Sequence, residues 1–244
     1  MSNDPSQIPV QPAPLDFDLP KLAERLKGAG AVKIVALGSS TTAGRGDVVA
    51  YPYRLEALLR AQHPAPLMID VVNRGVSGQE APVEFDRLET DVIAENPCLV
   101  IWQFGTNSIW QGSADHPPSL SDTIAAVKKG IMRLRQIGSI DIVLMDLQYS
   151  PAMLTPAKIA DTNAMVSAIS QLACDLSVNL FRRFEMMKAW HEVEQISFDQ
   201  IVDPKDDKRL HDSDWTTQRM AGALNLVIAA AVAKSQTAAR IIRN

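Results

Sequence analysis

The chain has 244 residues, 46% of them hydrophobic, which is enough to bury the core of one α/β domain. Its formal net charge of −4, with both signs scattered along the chain, supplies no basic stripe to neutralise a nucleic-acid backbone, and nucleic acid is not an expected partner. Two cysteines, Cys98 and Cys174, lie in apolar contexts at a spacing that suits neither a redox pair nor a zinc site, and both are expected to be free, buried thiols.

In chain order, the proline-rich opening MSNDPSQIPVQPAPLDFDLP is expected to form an extended arm over residues 1–19, ahead of a single domain over 20–244. It has no basic start and no apolar stretch, so as written it is no signal peptide and fits a cytoplasmic protein. A trimmed mature form would fit the periplasm or secretion equally. Short apolar runs then follow as strands: VKIVALG (32–38), LMIDVVNRG (67–75), CLVIWQFG (98–105), DIVLMDLQ (141–148) and NLFRRF (179–184). Between them YPYRLEALLRAQH, PVEFDRLETDVIAEN, LSDTIAAVKKGIMRLRQIG and TPAKIADTNAMVSAISQLACDLS place apolar residues three and four apart, as helices do. The closing run MAGALNLVIAAAVAK is shorter than the roughly 20 residues of a membrane span and contains Asn225, so it reads as a helix packed on the core.

Strands this continuously apolar are covered on both faces, which predicts a three-layer α/β/α domain around a mainly parallel sheet. In such sheets ligands bind beyond the carboxyl ends of the strands. The segments there are GSSTTAG, NRGVSGQ, GTNSIW and LQYSP, and a fifth polar segment, DPKDDKRLHDSDW, precedes the last helix.

Four consecutive hydroxyl residues, Ser39, Ser40, Thr41 and Thr42, end the first strand. They could cradle a phosphate, lift a serine nucleophile, or cap the next helix. A phosphate-binding P-loop needs Gly-Lys-Ser/Thr, and the lysine is absent. A flavin-phosphate loop or a plain capping loop remains open at this point. A nucleophile would need a base, a group to orient that base, and donors for an oxyanion. Of the four histidines, His63 ends a helix, His116 precedes two prolines, and His191 lies within a helical stretch. His211 stands apart, in a loop with Asp206, Asp207, Asp212 and Asp214.

Taken together, these segments resemble the ordered blocks of the SGNH hydrolases, the GDSL esterase/lipase superfamily, in a bacterial branch, over roughly residues 32–230. The resemblance implies a flavodoxin-like five-stranded sheet, Ser40 as nucleophile, His211 as base, and an oxyanion hole built from the N–H groups of Ser40 and Gly75 and the amide of Asn107. Two departures stand out. Ser39 replaces the aspartate of the name-giving Gly-Asp-Ser, and Lys208 occupies the place of the triad aspartate, three residues before the histidine. Asp207 is the expected replacement, with Asp206 and Asp203 behind it.

The implied reaction is hydrolysis of carboxylic esters, with a short acyl group such as acetyl, through an acyl-enzyme, on a small-molecule or carbohydrate ester. No metal or organic cofactor is expected, since the chain lacks His-Glu-x-x-His, a cysteine cluster and Gly-x-Gly-x-x-Gly after the first strand. The missing aspartate motivates an alternative, an SGNH-fold carbohydrate- or partner-binding module with impaired catalysis. Asp214 reads as the cap of the last helix, and Trp110 as either a pocket wall or a packing anchor.

Overall fold

In the computed structural model, which describes residues 10–28, 30–63, 68–110 and 117–241, the five apolar runs form strands β1 (Ala31–Gly38), β2 (Met68–Gly75), β3 (Leu99–Gln103), β4 (Asp141–Met145) and β5 (Asn179–Phe181). All pair in parallel, in the order β2-β1-β3-β4-β5. That is the flavodoxin-like order, with its reversal at β1. Central β3 and β4 are buried at every residue, whereas edge strand β2 leaves Met68 exposed.

Helices α1 (Pro20–Lys27), α3 (Tyr51–Gln62) and α11 (Asp214–Ile241) pack together, while α7 (Leu120–Ile137) packs on α4 (Ala81–Asp86) and on α8 (Ile159–Asp175). These two groups sandwich the sheet. Helix α7 is framed by sequence: Ser119 and Asp122 form a reciprocal capping box, and Gly138 closes the helix at φ +76°. Short helices α2 (Ser40–Ala43), α5 (Leu88–Asp91), α6 (Thr106–Trp110), α9 (Arg183–Glu192) and α10 (Phe198–Ile201) complete the chain. Among the described residues no helix is long and apolar enough to cross a membrane.

Several boundaries differ from expectation. The run 82–96 is not one helix: Arg87 leaves helical geometry (φ −97°, ψ 9°) as its guanidinium turns to the Gly38 carbonyl at 3.1 Å and Gln79 Oε1 at 2.6 Å. Strand β5 stops at Phe181, because Arg183 begins a helix and turns into the interior. Leu15 and Leu19 belong to the core, and Asn179 Oδ1 accepts the Phe17 N–H at 2.7 Å, so residues 10–19 pack on the domain they precede. Cys98 is buried but Cys174 is exposed, contrary to the expectation of two buried thiols. The last helix is capped by Ser213, whose Oγ accepts the Thr216 N–H at 3.1 Å; Asp214 instead pairs with Arg54.

Candidate active site

Parallel pairing from Ala31↔Met68 to Gly38↔Gly75 brings the ends of β1 and β2 level, and β3 ends beside them. The loops that follow therefore meet at one rim of the sheet. Ser40 opens the single-turn helix α2 directly after β1, where its N–H lies in the first turn and has no partner within the helix.

Gln103, the last residue of β3, explains the run of hydroxyls. Its Oε1 is the shared acceptor for the Ser39 N–H (3.2 Å) and for the hydroxyls of Ser39 (3.2 Å), Thr41 (3.0 Å) and Thr42 (3.4 Å). Three hydroxyls thus point inward, are buried, and lock the turn. The fourth, Ser40, is left half-buried and turned the other way. Asn73 holds the far side of the turn, donating to the Thr42 carbonyl at 2.8 Å.

His211 Nε2 lies 3.1 Å from Ser40 Oγ, and His211 Nδ1 lies 2.8 Å from Asp206 Oδ2. The carboxylate beside the imidazole is thus Asp206, not the expected Asp207, which is exposed to solvent. The reason is the shape of the loop. The Val202–Asp212 bridge and the Asp203 N–H to His211 carbonyl bond (2.9 Å) close its base, and Arg209 adopts a left-handed conformation (φ +54°). Asp206 precedes His211 by five positions, yet this fold-back sets the Asp206 side chain beneath the backbone it precedes. Asp203 is turned to the Lys205 N–H instead.

Asp206 Oδ2 also accepts the N–H groups of Leu210 (2.9 Å) and His211 (2.8 Å). Burial pushes this carboxyl up, but the backbone N–H groups and the imidazole outweigh burial and hold it well below the usual carboxylate range. Its other oxygen, Oδ1, pairs with Arg45 Nη1 at 2.6 Å.

The groups expected to serve as oxyanion donors are placed differently from one another. The Gly75 N–H is committed to Asn73 Oδ1 at 2.9 Å, which removes it as a free donor. Gly75 is needed for close packing instead, since a Cβ there would come within 2.6 Å of Ala43 Cα. Asn107 sits in α6 with one amide hydrogen on the Gln79 carbonyl at 2.7 Å, and the other has no partner among the described residues. Its contact draws in the 76–79 turn, where Gly78 has φ +79°, open space over its Cα, and an N–H without a partner among the described residues.

Beneath the rim, Gln148 Oε1 accepts the Thr106 hydroxyl and Arg183 Nη2, each at 2.8 Å, and its amide reaches the Leu210 carbonyl at 3.4 Å. This buried bridge joins the Asn107 segment to the His211 segment. Arg183 is fully buried, 3.7 Å from Asp212 Oδ2. Gln103, Gln148, Arg183 and Arg45 were not singled out by sequence reasoning; only Gln148 fell in one of the polar strand-end segments, LQYSP.

His63 and His191 lie away from this site. His63 caps α3, and His191 bonds the Ile196 carbonyl and stacks on Phe198 at 3.8 Å. His116 falls outside the described residues. Trp110 is half-buried with Lys158 Nζ 3.7 Å above its ring, a packing arrangement. Among the described residues no group of histidine, cysteine and carboxylate side chains could hold a metal ion.

The model of the Non-GDSL lipase-like family matches residues 5–234 of the chain. A search of curated protein sequences found no match. Among solved structures the chain is similar to a lipase/acylhydrolase from Enterococcus faecalis, with a TM-score of 0.65 and 20% identity over 81% of this chain and 95% of that one. It is also similar to a catalytic mutant of an acetylxylan esterase from Geobacillus stearothermophilus (TM-score 0.66, 23% identity, 83% of this chain and 96% of that one). A two-domain esterase active on acetylated mannans, co-crystallised with mannopentaose, aligns with a TM-score of 0.69 at 16% identity, covering 92% of this chain and 56% of that one. At such identities the likeness is one of fold.

Proposed function

Starting from the fact that this chain belongs to the Non-GDSL lipase-like family, among the SGNH/GDSL-type hydrolases that act on ester bonds, we propose that it is a serine esterase working through Ser40, His211 and Asp206. The observation that carries this reading is the unbroken relay from Ser40 Oγ to His211 Nε2 (3.1 Å) and from His211 Nδ1 to Asp206 Oδ2 (2.8 Å).

In the proposed mechanism His211 takes the Ser40 proton as Oγ attacks the ester carbonyl, then gives that proton to the departing alcohol. The acyl group remains on Ser40 until water, activated by the same imidazole, releases it as the acid. Asp206 stays ionised, fixes the tautomer of His211 and stabilises its cation. The tetrahedral oxyanion would be met by the Ser40 N–H, by the second amide hydrogen of Asn107 and, in place of Gly75, by the N–H of Gly78. Losing one such donor typically costs about 10²- to 10³-fold in rate.

A short acyl group, such as acetyl, on a carbohydrate is the substrate class we favour. Support comes from the low aromatic content of 5%, which leaves little to build a long-chain acyl channel, and from the carbohydrate-ester activities named for two of the fold relatives. The alternative of a binding module without catalysis was motivated by the missing aspartate at Lys208, and Asp206 at His211 Nδ1 removes that motive. Hydrolysis of p-nitrophenyl acetate by the purified chain and by Ser40→Ala tests the reading. Turnover that Ser40→Ala abolishes is expected; a wild-type rate no higher than buffer would favour the binding module.

A further inference from the structure

The contacts of the proposed triad continue past Asp206. Arg45 lies five residues after Ser40, beyond the end of α2, and its guanidinium returns to the base loop. Its Nη1 is 2.6 Å from Asp206 Oδ1 and 3.5 Å from His211 Nδ1. Ser40, His211, Asp206 and Arg45 therefore close a ring that begins and ends on the nucleophile loop. The Asp206 side chain is fully buried while that of Arg45 is 45% exposed, so the buried anion is met at the surface by a cation from the opposite loop.

We propose that Arg45 is a positioning residue for the esterase reaction, holding the Asp206 carboxylate against His211 and tying the base loop to the nucleophile loop. This rests on the triad reading given above. The geometry gives Arg45 two effects. It fixes the second carboxylate oxygen, which among the described residues otherwise receives only the Lys208 N–H at 3.3 Å, and so adds to the hold that Leu210 and His211 exert on the first. Its positive charge, 3.5 Å from His211 Nδ1, also repels a second positive charge on the imidazole. Among the described residues Asp212, one residue on, also interacts by charge with His211, and the buried Arg183 lies 3.7 Å from Asp212 Oδ2.

The test compares pH–rate profiles for p-nitrophenyl acetate hydrolysis by wild type, Arg45→Met and Arg45→Lys. For Arg45→Met the acid limb is expected to move to higher pH by about half to one unit, as for a partly screened charge at this distance. Its plateau kcat should fall about 3- to 10-fold with little change in KM. Arg45→Lys keeps the charge and should restore the acid limb but only part of the plateau, because a single ammonium cannot reproduce the guanidinium geometry. An Arg45→Met profile matching wild type, or a change confined to KM, would overturn the proposal. Asp206→Asn and Ser40→Ala serve as controls. Full activity in either would fault the triad reading itself, whereas their inactivity beside an unmoved Arg45→Met profile would fault the role of Arg45 alone.

Discussion

Gln103 Oε1 receives both the N–H and the hydroxyl of Ser39, each at 3.2 Å, and so pins the strand end from which the Ser40 turn departs. Gln103 is fully buried, and its replacement by leucine would leave Ser39, Thr41 and Thr42 without their shared acceptor. Unsatisfied buried polar groups cost about 1–3 kcal/mol each. Gln103→Leu is therefore expected to fold with reduced stability and to lose about 10- to 100-fold in kcat as the turn relaxes. Urea denaturation and steady-state kinetics measure the two effects; a wild-type kcat would show that the turn holds its shape without Gln103.

The carboxylate assignment makes a paired prediction. Loss of the orienting group in a comparable triad costs about 10⁴-fold in kcat. Asp206→Asn is expected to approach that loss, while Asp207→Ala and Asp203→Ala remain within a few-fold of wild type. A large loss for Asp207→Ala with near-normal Asp206→Asn would reverse the assignment.

How much of this could be read from residue order depends on the kind of contact. The sheet, its parallel sense and its three layers follow from apolar runs alternating with helical periods, because burial on both faces leaves that pattern in the chain. Ser40, Asn107 and His211 could be put forward from the sequence because each stands at a strand end or in a polar loop within a segment of recognisable order. Asp206 was not: which of two adjacent carboxylates turns inward depends on the fold-back at Arg209, a backbone feature with no sequence signature as clear as a glycine. Gly75 is ambiguous for a related reason. A glycine required for packing against Ala43 looks the same in sequence as one required for approach to a substrate. Gln103 and Arg183 were hidden because a polar residue at a strand end or helix start reveals its partner only once the neighbouring loops are in place.

Buried acids make stability depend on pH. Glu84 is fully buried with Oε2 accepting the Trp102 indole N–H at 2.8 Å, and burial pushes its carboxyl from 4.5 to about 8. Between those values the folded chain holds a proton that the unfolded chain has released, so stability falls as pH rises from about 4.5 to about 8. Asp146, raised by burial to about 7, acts in the same direction. Glu84→Gln is expected to remove its share, gaining on the order of a few kcal/mol relative to wild type at pH 8 and much less at pH 5. Urea unfolding of both proteins at the two pH values checks this. An equal difference at both would mean that Glu84 is ionised throughout.

The role of Ser40 is tested most directly by treating the purified protein with a fluorophosphonate probe and mapping the modified peptide. Covalent label on Ser40, formed rapidly in wild type and slowed in His211→Ala, is the expected result. Label on Ser39 or Thr41, or no label in a protein that hydrolyses p-nitrophenyl acetate, would contradict a Ser40 nucleophile.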